Sequence, residues 1–105
     1  MPTLTELPIA IPAPAIADFC ARHHIRRLSL FGSILTDRFR PESDVDMLVE
    51  FDSNHIPGLF TFVGMEMELT GIVGRKVDLR TAEDLSRYFR AEVVAGALPI
   101  YVHEP

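Results

Sequence analysis

Apolar and polar residues alternate with period two over three stretches of this chain. Val45, Met47, Val49 and Phe51 alternate with Asp44, Asp46, Leu48 and Glu50, which predicts a strand over residues 44–51. Its apolar set is the core face. Its other face opens with two carboxylates about two strand rises apart, roughly 6.5–7 Å along the backbone. Upstream, residues 26–31 read as another strand, with Leu28 and Leu30 on one side and Arg27, Ser29 and Phe31 on the other. Between these strands Gly32-Ser33 turns the chain into a predicted short helix over 34–39. Arg40-Pro41-Glu42-Ser43 closes it, because proline forces an extended residue before it. A third strand is predicted over 76–80, with Val77 and Leu79 on the core face and Lys76, Asp78 and Arg80 opposite.

The intervening stretches follow helical spacing. Ile16, Phe19, Cys20 and His23 fall at i, i+3, i+4 and i+7, so a helix begins near Pro14, where proline suits a first turn. Asp18 near its start and Arg22, His23 and His24 near its end complement the helix dipole. Residues 52–58 are a loop by composition. A helix is predicted over 59–69, burying Leu59, Phe62, Val63, Glu66 and Met65 or Leu69, with Gly71 and Gly74 ending it. Thr81-Ala82-Glu83-Asp84 has the form of a capping box. From it a helix should run to Ala95 or Gly96 with Leu85, Tyr88, Phe89, Glu92 and Val93 on one face. Ile100, Tyr101 and Val102 then offer an edge strand. Strands alternating with helices imply an α/β layered fold. Residues 14–105 are expected to form one domain, behind an extended leader at 1–13 that contains Pro2, Pro8 and Pro12.

Bulk properties narrow the function classes. A chain of 105 residues with 48% apolar content can fold around one modest core. Ten basic and fifteen acidic side chains leave a formal charge of −5, so no basic footprint for direct DNA binding is expected. That balance suits an acidic site or a basic partner. Cys20 is the single cysteine, which fits a reducing cytoplasm. The apolar stretch 7–16 lacks a basic flank and is broken by Pro8, Pro12 and Pro14, so it is not read as a signal peptide, and no membrane span is expected.

The chemistry concentrates on Gly32-Ser33 and the carboxylates. Asp44 and Asp46, sharing a strand face, are hard oxygen donors spaced to grip one or two Mg²⁺ ions. The competing reading is a solvated acidic pair at a strand start. Asp78 lies on the non-core face of its strand and joins Asp44 and Asp46 if the strands are neighbours; otherwise it is a surface acid between Lys76 and Arg80. Gly32 lets a phosphate approach the backbone, and the Ser33 hydroxyl can donate to it. An ordinary turn with a serine cap uses the same residues. Arg38, Arg40, Arg75 and Lys76 are candidate phosphate or partner contacts, each more simply a solvated charge. Glu50 is peripheral, and the Met65–Glu68 run reads as core and surface of a helix. His23, His24, His55 and His103 show no metal-ligand spacing, and no nucleophile-elbow motif supports a hydrolase.

Gly32-Ser33 followed ten residues later by Asp44-x-Asp46, set between apolar strands, resembles the signature of the DNA polymerase β-type nucleotidyltransferases. The similarity is greatest to their smallest branch, the minimal nucleotidyltransferases (MNT). The strict motif covers residues 32–46, and softer similarity extends from about Leu28 through Lys76-Val77-Asp78-Leu79 to the Leu85–Val94 segment. The resemblance implies a small mixed sheet with helices on one face and the catalytic carboxylates on the open side. It also implies that Asp44, Asp46 and Asp78 hold two Mg²⁺ ions while Gly32 and Ser33 hold the triphosphate, with ATP as the expected substrate. Many relatives carry a basic residue soon after Gly-Ser, where this chain has Ile34-Leu35-Thr36-Asp37. Larger relatives add domains for the base or acceptor, so a catalytic module of this size is expected to need a partner. In the minimal branch the implied partner is a HEPN-domain ribonuclease toxin, which some members modify by transferring AMP to a tyrosine. A binding-only antitoxin and a small-molecule nucleotidyltransferase, for an aminoglycoside-like substrate, are the alternatives.

Overall fold

In the computed structural model, which describes residues 6–103, four strands and three α-helices alternate along the chain. Helix α1 spans Ala13–Arg22, strand β1 Ile25–Phe31 and strand β2 Val45–Phe51. Helix α2 spans Leu59–Val73, strand β3 Val77–Arg80, helix α3 Arg90–Gly96 and strand β4 Leu98–Val102. The sheet order is β3-β2-β1-β4. β1 pairs antiparallel with β2 and with β4, whereas β2 and β3 are parallel, so the sheet is small and mixed as expected.

Register explains the two faces. Leu28 lies opposite Val49, Leu30 opposite Met47, Val45 beside Val77, and Met47 beside Leu79. Those side chains form the core with Ile16, Phe19 and Cys20 of α1 and Met65 and Leu69 of α2. Each such side chain, withdrawn from water, contributes about 1.5–3 kcal/mol. Part of the leader lies outside the described residues, at positions 1–5; Leu7, Ile9 and Ile11 pack half-buried against the same core. Across the helix pair, Glu68 of α2 binds both Arg22 and His23 of α1, the latter at 3.1 Å. No helix among the described residues is long and apolar enough to cross a membrane.

Burial pushes the Cys20 thiol up to about 12. The thiolate is the reactive form, so Cys20 is expected to resist a thiol reagent in the native chain and to react once denaturant is added. Native labelling at the rate of a free peptide cysteine would contradict the packing around α1.

Three predicted elements are corrected. The short helix over 34–39 is a 3-10 turn, Gly32–Leu35. Thr36 ends it: its hydroxyl donates to the Ser33 carbonyl at 2.8 Å and accepts the Arg38 N–H at 3.1 Å, diverting groups a helix would use. Helix α2 runs through Gly71 to Val73 and stops at Gly74, whose φ of 77° suits glycine. It buries Met65 and Leu69, but Leu59 and Val63, assigned to the buried stripe, are exposed. Gly64 and Gly71 sit inside α2, each costing about 1 kcal/mol relative to alanine.

The helix predicted from the capping box to residue 95 is interrupted. The box is present on a 3-10 turn, Ala82–Asp84, and Leu85 is already extended. The Arg90 guanidinium then donates to the Glu83 and Leu85 carbonyls at 3.3 and 3.0 Å, holding the break in place. Tyr88, expected to be buried, is 85% exposed.

Candidate active site

The open face of the sheet carries the carboxylates. Asp46 lies directly beside Asp78 across the parallel β2–β3 pair and opposite Phe31 across the β1–β2 pair. Asp44 stands one residue before β2, whose first N–H, that of Val45, donates to the Lys76 carbonyl at 2.8 Å. The β2–β3 register therefore brings together the acids of two segments more than thirty residues apart. Glu50, at the far end of β2, faces Arg26 at 3.7 Å and stays peripheral.

Gly32 completes this corner. Its φ is 80°, and a Cβ there would overlap Asp46 Oδ2 and lie 3.2 Å from Asp46 Cγ. Only a residue without a side chain lets the turn close over that carboxylate. Phe31, not Ser33, is the cap residue of the 3-10 turn, and no side chain caps it. Ser33 binds Thr36 through its carbonyl, and no internal hydrogen bond of its hydroxyl occurs among the described residues. The alternative reading of Ser33 as a structural cap is thus not what the structure shows.

Burial raises the Asp46 carboxyl above its ordinary range, and the nearby charges of Asp78 and Asp44 raise it further; Arg80 opposes them. Two of the acids have basic neighbours. Lys76 Nζ lies 3.9 Å from Asp44, and Arg80 grips Asp78 at 3.1 and 3.3 Å. Among the described residues no three acidic, histidine or cysteine side chains stand at metal-holding spacing. Both ion pairs are solvent-exposed, and such pairs are worth about 0–1 kcal/mol, so a divalent cation competes with them easily. Asp44, Asp46 and Asp78 offer only oxygen donors, the type a hard cation such as Mg²⁺ prefers, and Asp46 is raised first by burial and then by the charges of Asp78 and Asp44.

Of the basic residues singled out in the sequence, Arg75 has a structural task. It donates to the Arg40, Pro41 and Ser43 carbonyls at 2.9, 2.7 and 2.9 Å and stacks on Phe39, clamping the loop that delivers Asp44. The Lys-Asp-Arg alternation on β3 was the sequence signal for the counter-ions Lys76 and Arg80. Sequence reasoning missed the cleft beside Gly32. This cavity of about 530 Å³ has Phe31, Leu35, Phe89 and Val93 as its walls and Glu92 as its charged group. Phe89 and Val93, on the predicted buried helix face, line this cleft instead.

Known proteins share this fold. Residues 15–104 match the polymerase beta nucleotidyltransferase family. The chain is 38% identical over 58 residues to the protein adenylyltransferase MntA of Thermococcus cleftensis, a match spanning 55% of this chain and 57% of that relative's length. A solved structure described as a minimal nucleotidyltransferase superposes with a TM-score of 0.68 at 31% identity, covering 83% of this chain and 87% of the other. The fold also matches, at a TM-score of 0.62 and 17% identity, a chain of the tri-AMPylated Shewanella oneidensis HEPN toxin in complex with its MNT antitoxin; the match covers 87% of this chain and 70% of that one. With the Gly32 turn seated on Asp46, and Asp46 beside Asp78, this chain belongs to the polymerase beta nucleotidyltransferase family, in its minimal branch.

Proposed function

We propose that this chain transfers an adenylyl group from ATP to a protein hydroxyl, the acceptor being a tyrosine of a HEPN-type toxin that it thereby neutralises. The observation that carries this reading is the Gly32–Asp46–Asp78 corner: a side-chain-free turn packed on one carboxylate, with a second carboxylate in register beside it. The matched relatives, an adenylyltransferase and an antitoxin bound to an AMPylated toxin, support the choice of group and partner.

In this reading the Gly32 turn and the Ser33 hydroxyl receive the triphosphate. The cleft between Phe31, Phe89 and Val93 shields the nucleoside from water, since apolar walls with one or two polar groups are typical of small-molecule sites. Asp44, Asp46 and Asp78 would hold two Mg²⁺ ions, which supply charge neutralisation at the reacting phosphate. Asp78 takes the proton from the acceptor hydroxyl. The acceptor oxygen bonds to the α-phosphorus, the bond to the β-phosphate oxygen breaks, and pyrophosphate leaves. Positioning by the Gly32 turn and the strand register provides most of the remaining rate gain.

The test is toxin ribonuclease activity and intact toxin mass after incubation with a small molar fraction of this chain, ATP and Mg²⁺. Toxin heavier by AMP, inactive after the chain is removed and unmodified in EDTA, is the expected result. An unmodified toxin whose activity returns on separation would establish the binding-only reading.

Ser33 gives a finer test. Its hydroxyl makes no internal bond, so Ser33→Ala should leave the thermal melt within about 0.5 kcal/mol of the parent, as surface changes do. ATP binding should weaken by roughly 1.5–3 kcal/mol, the value of a hydrogen bond to a charged group. Calorimetry beside a thermal melt checks both; equal losses would return Ser33 to a structural role.

A further inference from the structure

Helix α2 carries apolar residues on its outer as well as its inner face, and nothing among the described residues covers the outer one. Phe60 is 93% exposed and Met67 70%, while Met65 and Leu69, on the opposite side, are buried. Ile56, Leu59 and Val63 extend the exposed patch. Within that face, Phe60, Gly64, Met67 and Gly71 follow the 4-3-4 spacing of a helix-packing seam, large and small residues in turn. Both glycines weaken the helix relative to alanine, and a Cβ at either would meet nothing within 4 Å. Nothing among the described residues therefore requires them.

We infer that this face is a self-association surface on which α2 packs antiparallel against α2 of a second copy about a two-fold axis. The seam is self-complementary in that direction. With the axis passing between residues 65 and 66, Phe60 of one copy lies over Gly71 of the other, and Met67 lies over Gly64. Each large side chain fills the space that a glycine leaves, as an isologous interface requires. The exposed parts of Ile56, Leu59, Phe60, Val63 and Met67 together present on the order of 700 Å², taking about 200 Å² for a large apolar residue. That approaches the roughly 800 Å² per partner of a stable interface. Charge selects the same occupant. The chain carries −5, yet the seam residues Phe60, Gly64, Met67 and Gly71 are uncharged, and Glu66 and Glu68 of the same helix are held by the Leu79 N–H and by Arg22 and His23, so two copies meet there with little repulsion; a basic partner would be drawn to acidic surface instead. α2 packs on the core side of the sheet, so the pairing leaves both carboxylate faces open.

The experiment is molar mass by light scattering and sedimentation across a concentration series of the full chain, repeated for Phe60→Glu and Gly71→Leu. The parent is expected to be a dimer. Both variants should dissociate about 30-fold or more readily, as for removal of a central interface anchor. Gly71→Leu should melt no lower than the parent once both are monomeric, because a Cβ there meets nothing within 4 Å and leucine favours the helix over glycine. Gly64→Cys/Met67→Cys tests the register: it should oxidise to a covalent dimer while buried Cys20 stays reduced. A parent monomeric throughout the series, a dimer indifferent to both variants, or a double cysteine variant that stays uncrosslinked while dimeric would each overturn the proposal. So would loss of the dimer when a cognate toxin binds this face in its place.

Discussion

Asp46→Asn is expected to abolish adenylyl transfer and, in the same protein, to raise the melting temperature of the metal-free chain. The first effect follows from its place between Gly32 and Asp78. An amide is a poor ligand for a hard cation, and losing several kcal/mol of charge stabilisation is a loss of about a thousandfold or more in rate. The second follows from electrostatics. Burial and the charges of Asp78 and Asp44 raise the Asp46 carboxyl when the chain folds. The folded chain then holds that proton to higher pH than the unfolded chain does, so stability falls as pH rises from the ordinary carboxylate range through the raised value. At neutral pH the ionised group weighs against folding in full, and the asparagine variant is free of it. The stability difference should therefore be largest near neutrality and vanish below about pH 3.9, where the carboxyl is protonated in both states. Thermal melts in EDTA from acid to neutral pH, beside a transfer assay, measure both effects. Retained transfer would remove Asp46 from the mechanism; a stability difference independent of pH would remove charge as its cause.

Gly32→Ala should be the most damaging change outside the acids. The new Cβ overlaps Asp46 Oδ2, and the end of so short a side chain can retreat only by turning Asp46 out of the corner. A displacement of roughly 1 Å at a reacting centre costs about a hundredfold in rate. Holding alanine at a φ of 80° adds about 1–2 kcal/mol of strain, visible as a lower melting temperature. Gly58→Ala is the control: its φ is −75° and a Cβ there meets nothing within 4 Å, so it should leave activity unchanged, with at most the small loss of a poorer helix cap in stability. Full activity in Gly32→Ala would show that the close approach of turn and carboxylate has no part in the reaction.

The strands were legible because period two has few imitators. Val45, Met47 and Val49 are buried as their alternation demands, and so are Val77 and Leu79. The pairing of Asp46 with Asp78 was conditional on strand order, which no local pattern encodes; it follows from the parallel register of β2 and β3. Helix faces were read less well. With apolar residues on every side of α2, any stripe satisfies a helical template, and Leu59 and Val63 were placed inside on that basis. The 34–39 and 85–95 segments fail for another reason. Thr36 and Arg90 hydrogen-bond the backbone across what would have been helical turns, and composition does not show such bonds. Arg75 read as a solvated charge because the three carbonyls it holds lie more than thirty positions away.

The outer margin of β3 has one more consequence. The Val77 N–H is taken by the Thr70 hydroxyl at 3.0 Å and the Leu79 N–H by the Glu66 carboxylate at 2.7 Å, both side chains of α2. Strand β4, at the opposite margin, contains Pro99 and so lacks one donor. A sheet guarded on both sides offers a poor template for a foreign strand. Amyloid-like growth of this protein should therefore require α2 to detach first. Its onset should follow the lifting of that helix rather than the fraying of the sheet, and Glu66→Ala, which frees the Leu79 N–H, should hasten it.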